Sequence, residues 1–286
     1  MSEALALRLP RTQRPRRRPS LVVLLCLAFL ALFVFTAAFG RLIAPYGANS
    51  QDLLIGLTGP SAHHLLGTDD VGRDILSLVI RGALAALVGP AAVAIGSSLL
   101  GGTLGILSGF LGGWVDAVIM RWVDVMYALP GLLVLIVIAG VAGGGNRIAI
   151  LLLILFNAPY TARIVRGATL EQRGLPYVEA ARVLGVSRTR RMTAHILPNV
   201  APQLVATTFL QYATALLALS SLSFLGLGAA PGSADWGLMA ADNRTLLFQN
   251  PAAMLAPAGL IILAAASMNI TGDWLFEFIG RKGRSR

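Results

Sequence analysis

Six long apolar stretches alternate with short polar segments along this chain of 286 residues. They run over residues 21–39, 83–110, 114–139, 148–165, 202–227 and 252–271. Each is close to the roughly 20 apolar residues that a helix needs to cross a bilayer. The pattern predicts an all-α membrane protein with six transmembrane helices. It divides the chain into a polar tail at 1–20, a first transmembrane helix at 21–40, an outer loop at 41–82, a five-helix core at 83–275 and a short tail at 276–286. Within the core, a loop at 166–201 is expected on one side of the membrane and a loop at 226–252 on the other.

The polar segment between the fourth and fifth stretches is the most informative. Pro176 suits the first turn of a helix. Residues 177–184 are good helix formers, and Gly185 suits a left-handed stop. A helix of about two turns cannot stand alone in water, so this one must dock on something. Ser187 is placed to cap a second helix that runs toward His195 and ends at Pro198. The two make a helical hairpin along the membrane surface. The second stretch, from Gly96 through Gly101, Gly102, Gly105 and Gly109, has the small-residue spacing that lets helix backbones approach closely. That surface suits a neighbour in the same chain or in a second subunit.

Composition sharpens the membrane reading. The chain is 56% hydrophobic and 13% charged, with a mean hydropathy of +0.74, where globular chains carry roughly 25% charged residues. The net charge is +10, almost all of it from arginine. A basic balance can mark nucleic-acid binding, but here the arginines flank apolar stretches and no nucleic-acid partner is expected. Seventeen basic residues fall on the N-terminal tail, the segment from Arg163 to residue 201 and the C-terminal tail, against five on the opposite side. The basic side is therefore read as cytoplasmic, with both termini there and the chain multi-pass in a bacterial plasma membrane. Asp52, Asp69, Asp70, Asp74, Asp235 and Asp242 collect on the outer side. The first stretch exceeds the usual signal-peptide core of about 7–15 residues, so it is expected to be retained.

Candidate chemistry is sparse. The one cysteine, Cys26, lies in an apolar stretch and excludes an internal disulfide or a Cys-based metal site. The one lysine, Lys282, lies in the C-terminal tail, so no P-loop is present and any ATP chemistry belongs to another polypeptide. No catalytic residue and no cofactor of this chain's own are expected. His63 and His64 near Asp69 and Asp70 invite a metal reading, but the spacing matches no defined site. An ordered outer loop is expected instead, with Arg73 paired to Asp69 or Asp74. Arg121 and Asp124, three residues apart in the third stretch, are expected to form a structural ion pair on one helix face. The outer loop with Trp236 and Phe248 is either a contact surface or a lid over helix ends.

Glu179-Ala180-Ala181, Gly185 and His195-Ile196-Leu197-Pro198 resemble the EAA loop of ABC importer permeases. Gly67-Thr68-Asp69-Asp70 with Gly72-Arg73-Asp74 resembles a segment of the dipeptide/oligopeptide/nickel permeases, C-type subunit. Gly112-Gly113-Trp114-Val115-Asp116 with Arg121, Asp124 and Pro130 is similar too, as is Leu222-Ser223-Phe224-Leu225-Gly226-Leu227-Gly228 with Pro231, Trp236 and Gly237. The resemblance implies a transmembrane permease subunit of an ATP-driven importer, acting by alternating access, with di- or oligopeptides the expected cargo. It implies that Tyr177, Val178, Glu179, Ala180, Ala181, Arg182 and Gly185 form a coupling helix against an ATPase. It implies a second homologous permease, one or two ATPase subunits that bind ATP and Mg, and an extracytoplasmic binding protein. Asp235, Trp236 and Gly237 are candidates for contact with that last partner. Leu219 and Leu84 depart from the family's pattern, which tends to place Glu and Arg there. An ion-coupled secondary transporter would want midplane charges and internal repeats, and neither is evident; a non-transporting scaffold is the other alternative.

Overall fold

The structure is a computed structural model that describes residues 20–47 and 50–283. The basic tail at 1–20 lies, apart from Ser20, outside the described residues, as do the last three residues. Every regular element among the described residues is helical, apart from an isolated bridge between Thr68 and Asp74.

Helix α1 (Leu21–Ile43) is capped by Ser20, whose side chain accepts from the Val23 amide. Helix α2 (Ile75–Leu111) begins well before the apolar stretch that predicts it. Asp74 explains the early start: its carboxylate accepts from the Ser77 amide at 2.8 Å and from the Ser77 hydroxyl at 2.7 Å, which fixes the first turn. At 37 residues α2 is about 55 Å long and reaches past both faces of a hydrocarbon core.

The third span is not the continuous helix expected over 114–139. It is broken into α3 (Gly113–Ala128) and α4 (Gly131–Val141), bent by 83°. Pro130 causes the break. It has no amide proton to donate and it forces the residue before it out of helical geometry. Leu129 is accordingly extended, at φ −92° and ψ 134°.

Helix α5 (Asn146–Arg173) leads through Gly174 and Leu175 into the short α6 (Pro176–Val183). A one-turn α7 (Arg188–Arg190), capped by Ser187, then passes through a π-helical turn at Arg191–Ile196 into α8 (Leu197–Phe224). Pro198 therefore does not end the second arm of the hairpin. It sits in the first turn of α8, where its missing amide is no loss, and the arm runs on as the fifth span. After a turn-rich segment, α9 (Trp236–Asp242) and a 3-10 turn at Asn243–Leu246 precede α10 (Pro251–Gly283).

Helix α2 is the centre of the bundle, packed chiefly on α5 and α8, with α1 and α10 on its other side. The glycine register decides how closely. A Cβ on Gly101 would lie 2.3 Å from the Ala158 carbonyl, on Gly105 2.6 Å from Ala162 O, and on Gly109 2.9 Å from Arg166 O. Each step of four along α2 meets a step of four along α5. The small-residue face thus belongs to a contact within this chain. Three apolar clusters follow: an outer one around Ile75, Leu78 and Leu216, a middle one around Val93, Leu219 and Leu222, and an inner one around Phe110, Val165, Ile196 and Val200.

Candidate functional site

Helix α6 lies across the end of the bundle formed by α2, α5 and α8. Two residues fasten it: Val178, 3% exposed, and Ala181 are buried, and Val178 enters the inner apolar cluster. Of the residues expected in the coupling helix, these two face the bundle and not outward. Tyr177 adds a polar anchor. Its hydroxyl donates to Gln172 Oε1 at 2.8 Å, lies 3.2 Å from the His195 carbonyl and accepts from Asn199 Nδ2 at 3.1 Å. It thereby joins α5, α6 and the start of α8. Desolvation pushes the Tyr177 phenol above its ordinary range, against the Asn199 hydrogen bond.

The C-terminus of α6 is closed by the turn that Gly185 predicts. Gly185 has φ +76°. Its amide donates to Arg182 O at 3.1 Å and the Val186 amide to Ala181 O at 3.0 Å. This is a Schellman stop. It leaves Glu179, Ala180, Arg182, Val183 and Leu184 on the outer face. Val183 and Leu184 are each 82% exposed. The sequence reading passed over both. Their signal was two consecutive apolar residues just before a helix-stopping glycine in an otherwise polar loop.

The arms leading into α6 are held by charge. Arg166 on α5 binds Asp116 on α3 through two points, Nε to Oδ1 and Nη2 to Oδ2, both at 2.6 Å. The Ser108 hydroxyl of α2 donates to the same Oδ1. Asp124 does not pair with Arg121. It accepts from Arg163 Nη2 of α5 at 2.8 Å, and the Arg163 guanidinium also lies 4.5 Å from the centre of the Tyr127 ring. A partner that gains both an ion pair and a cation–π contact wins over the neighbour three residues away.

The end of the bundle opposite α6 is a clasp. Asp69 accepts from the amides of Val71 and Arg73 and from Arg73 Nε at 2.6 Å, while Arg73 Nη1 donates to Gly232 O at 3.2 Å. His64 Nδ1 lies 3.0 Å from Asp74 Oδ1. Asn250 Nδ2 donates to the carbonyls of Leu66 and Thr68. Trp236, 3% exposed, is wedged under this end. Its indole donates to Val79 O at 2.9 Å, and its ring lies 5.4 Å from that of Phe33. Gly237 is buried beside it. Both residues are buried within this chain. Asp235 is half-buried and caps α9 through the Leu238 amide.

Leu219, 7% exposed, packs in the middle cluster with Val93 and Leu222. A carboxylate there would be buried among aliphatic side chains, so leucine suits this interior. Leu84 is exposed and lines a small cleft with Arg41 and Arg81.

Comparison with known proteins agrees with this architecture. Residues 101–285 match the model of the binding-protein-dependent transport system inner membrane component. The chain is 34% identical over 253 residues to a probable D,D-dipeptide transport system permease protein of Escherichia coli, covering 88% of this chain and 85% of that one. It is 37% identical over 256 residues to a glutathione transport system permease protein of Shigella sonnei, covering 89% and 84%. It is 34% identical over 260 residues to a dipeptide transport system permease protein of Alkalihalophilus pseudofirmus, covering 91% and 85%. Among solved structures, a chain of the inward-facing MetNI methionine ABC transporter superposes with a TM-score of 0.59 at 18% identity, covering 72% of this chain and 97% of that one.

Proposed function

The chain belongs to the family of binding-protein-dependent transport system inner membrane components, and we propose that it is gripped by its ATPase through the outer face of α6. It is a membrane-spanning permease subunit of an ABC importer. The observation that carries the coupling role is the two-faced build of α6. Val178 and Ala181 lock one side to the bundle, while Val183 and Leu184 stand exposed on the other. An exposed apolar pair on a helix too short to be stable alone is a docking surface for a second protein. Because the inner face is tied to α2, α5 and α8, a pull on the outer face is transmitted to the spans. Glu179, Ala180 and Arg182 form the polar border of the same face.

On this reading ATP and Mg bind to the partner, and closing of the ATPase drives α6 and the spans between two conformations that it binds with different affinity. A second, homologous permease completes the pathway, and a binding protein delivers cargo to the outer clasp. Dipeptide and glutathione permeases among the relatives support small peptides as the substrate class. The arginine-rich side, which carries α6, faces the cytoplasm with both termini.

The test is assembly. Val183→Glu with Leu184→Glu places two charges on the docking face without touching the bundle. The doubly substituted permease is expected to stay monodisperse with its partner permease and to lose the ATPase on size-exclusion chromatography. Full retention of the ATPase with normal uptake would rule out α6 as the grip.

A further inference from the structure

A cavity of about 310 Å³ opens between α6, the end of α2 and the start of the α7–α8 arm. Four arginines line it: Arg173 from α5, Arg182 from α6, Arg188 from α7 and Arg191 from the π turn. Glu179 is the one carboxylate in the wall, and Phe110 and Leu111 form an apolar side. Among the described residues none of the four guanidiniums takes part in an ion pair. Arg173 Nη1 reaches only the Gly109 carbonyl, at 3.4 Å. The Arg191 guanidinium lies 5.7 Å from the centre of the Phe110 ring, and its Nε is buried with no hydrogen-bond partner.

We infer that this cavity binds the phosphate of an anionic phospholipid headgroup, which bridges α6 to the end of α2. Four arginines against one glutamate leave an excess of positive charge that favours an anion among them, and planar guanidinium forks match phosphate oxygens. The apolar side selects a lipid over a soluble phosphate. Phe110 and Leu111 end a membrane-spanning helix, and Trp114, three residues on, is exposed where an interfacial aromatic belongs. Val118, one turn further, is exposed as well. Acyl chains can therefore run along α2 and α3 while the headgroup enters the cavity. Basic pockets between spans at the cytoplasmic level take such headgroups. The site rests on the placement of α6 described above. Its binding does not require that the ATPase grips that helix.

The assembled importer is reconstituted in nanodiscs of equal anionic and zwitterionic phospholipid, released gently and weighed by native mass spectrometry. The wild-type complex is expected to retain one anionic lipid per copy of this permease. Arg188→Gln with Arg191→Gln is expected to lose it, by on the order of fivefold per arginine. Arg182→Gln with Arg188→Gln alters two exposed side chains only, so a folding defect in the first variant does not leave the question open. Arg190→Gln removes the same charge from the neighbouring turn outside the cavity and is expected to keep the lipid. Equal retention in all variants overturns the proposal. So does displacement of the lipid by millimolar inorganic phosphate, which would make a free phosphate the occupant. Loss of the ATPase from the cavity variants with the lipid retained also overturns it, and leaves the α6 docking surface intact. Loss of the lipid with the ATPase retained supports it.

Discussion

Arg166 and Asp116 face each other across fifty residues of sequence with both oxygens of the carboxylate engaged at 2.6 Å. The pair ties α5, which continues into α6, to the start of α3, and the Ser108 hydroxyl brings α2 into the same contact. A displacement of α6 therefore reaches three spans through one carboxylate. The pair is part-buried, so it is worth more than a surface bridge and less than a fully desolvated one.

Asp116→Ala removes the acceptor and leaves Arg166 without its ion-pair partner. The expected cost is about 1–3 kcal/mol, seen as a lower melting temperature of the detergent-solubilised importer. Asp116→Asn keeps one acceptor oxygen and should lose less. Equal melting temperatures for all three proteins would remove the pair from the account.

Gly185→Val acts through the backbone alone. A Cβ at Gly185 meets nothing within 4 Å, so the penalty is the left-handed φ of +76°. That costs a non-glycine residue about 1–2 kcal/mol and a β-branched one most. In proteoliposomes the variant is expected to hydrolyse more ATP per molecule of cargo taken up. Gly185→Asn should retain most of the wild-type ratio. An unchanged ratio for valine would mean that the shape of this stop is not transmitted.

Asp242 supplies a pH dependence. Desolvation raises its carboxyl above the ordinary value of 3.8; Asp70 and Asp69 push the same way, against Arg73 and Arg244. An acid raised in the fold favours the folded state fully below its unfolded value. That contribution is lost as pH rises through the folded value. Asp242→Asn, which stays neutral, is therefore expected to match wild type near pH 4 and to melt higher at pH 7. The comparison is a pair of thermal scans at the two pH values. A variant that melts lower at pH 7 contradicts the sign.

Gly105→Leu tests the α2–α5 contact. Even a Cβ there would come within 2.6 Å of the Ala162 carbonyl and 2.8 Å of Val165 Cβ. Neither helix backbone can yield cheaply, so overpacking of at least about 1–3 kcal/mol follows. The expected outcome is a poorly assembled permease on fluorescence-detected chromatography, while Gly167→Leu, at a position with open space, behaves as wild type.

Much of this structure was legible in the sequence because local chemistry decides it. The spans follow from apolar length, and the end of α6 from a glycine that alone accepts the left-handed turn. Ser187 acts as the cap its residue type suggests. What was not legible depends on neighbours distant in the chain. Asp124 has Arg121 within reach along its own helix, yet Arg163 and Tyr127 together offer more. Trp236 sits in an outer segment and reads as exposed, but α1 and α2 provide a pocket with a carbonyl for its indole. Pro130 and Pro198 show the same limit. One breaks a span because helix precedes it by several turns, and the other is accommodated because a π turn hands over to α8 just before it.

The most direct test of the coupling claim is a disulfide trap. Cys26 is replaced by Ser, Leu184 by Cys, and a series of cysteines is placed along the permease-facing groove of the ATPase subunit. At least one pair is expected to crosslink rapidly in inside-out vesicles, with a rate that changes when ATP binds. If no pair in the groove crosslinks while the same vesicles transport normally, the ATPase does not hold the exposed face of α6 and the mechanism is wrong.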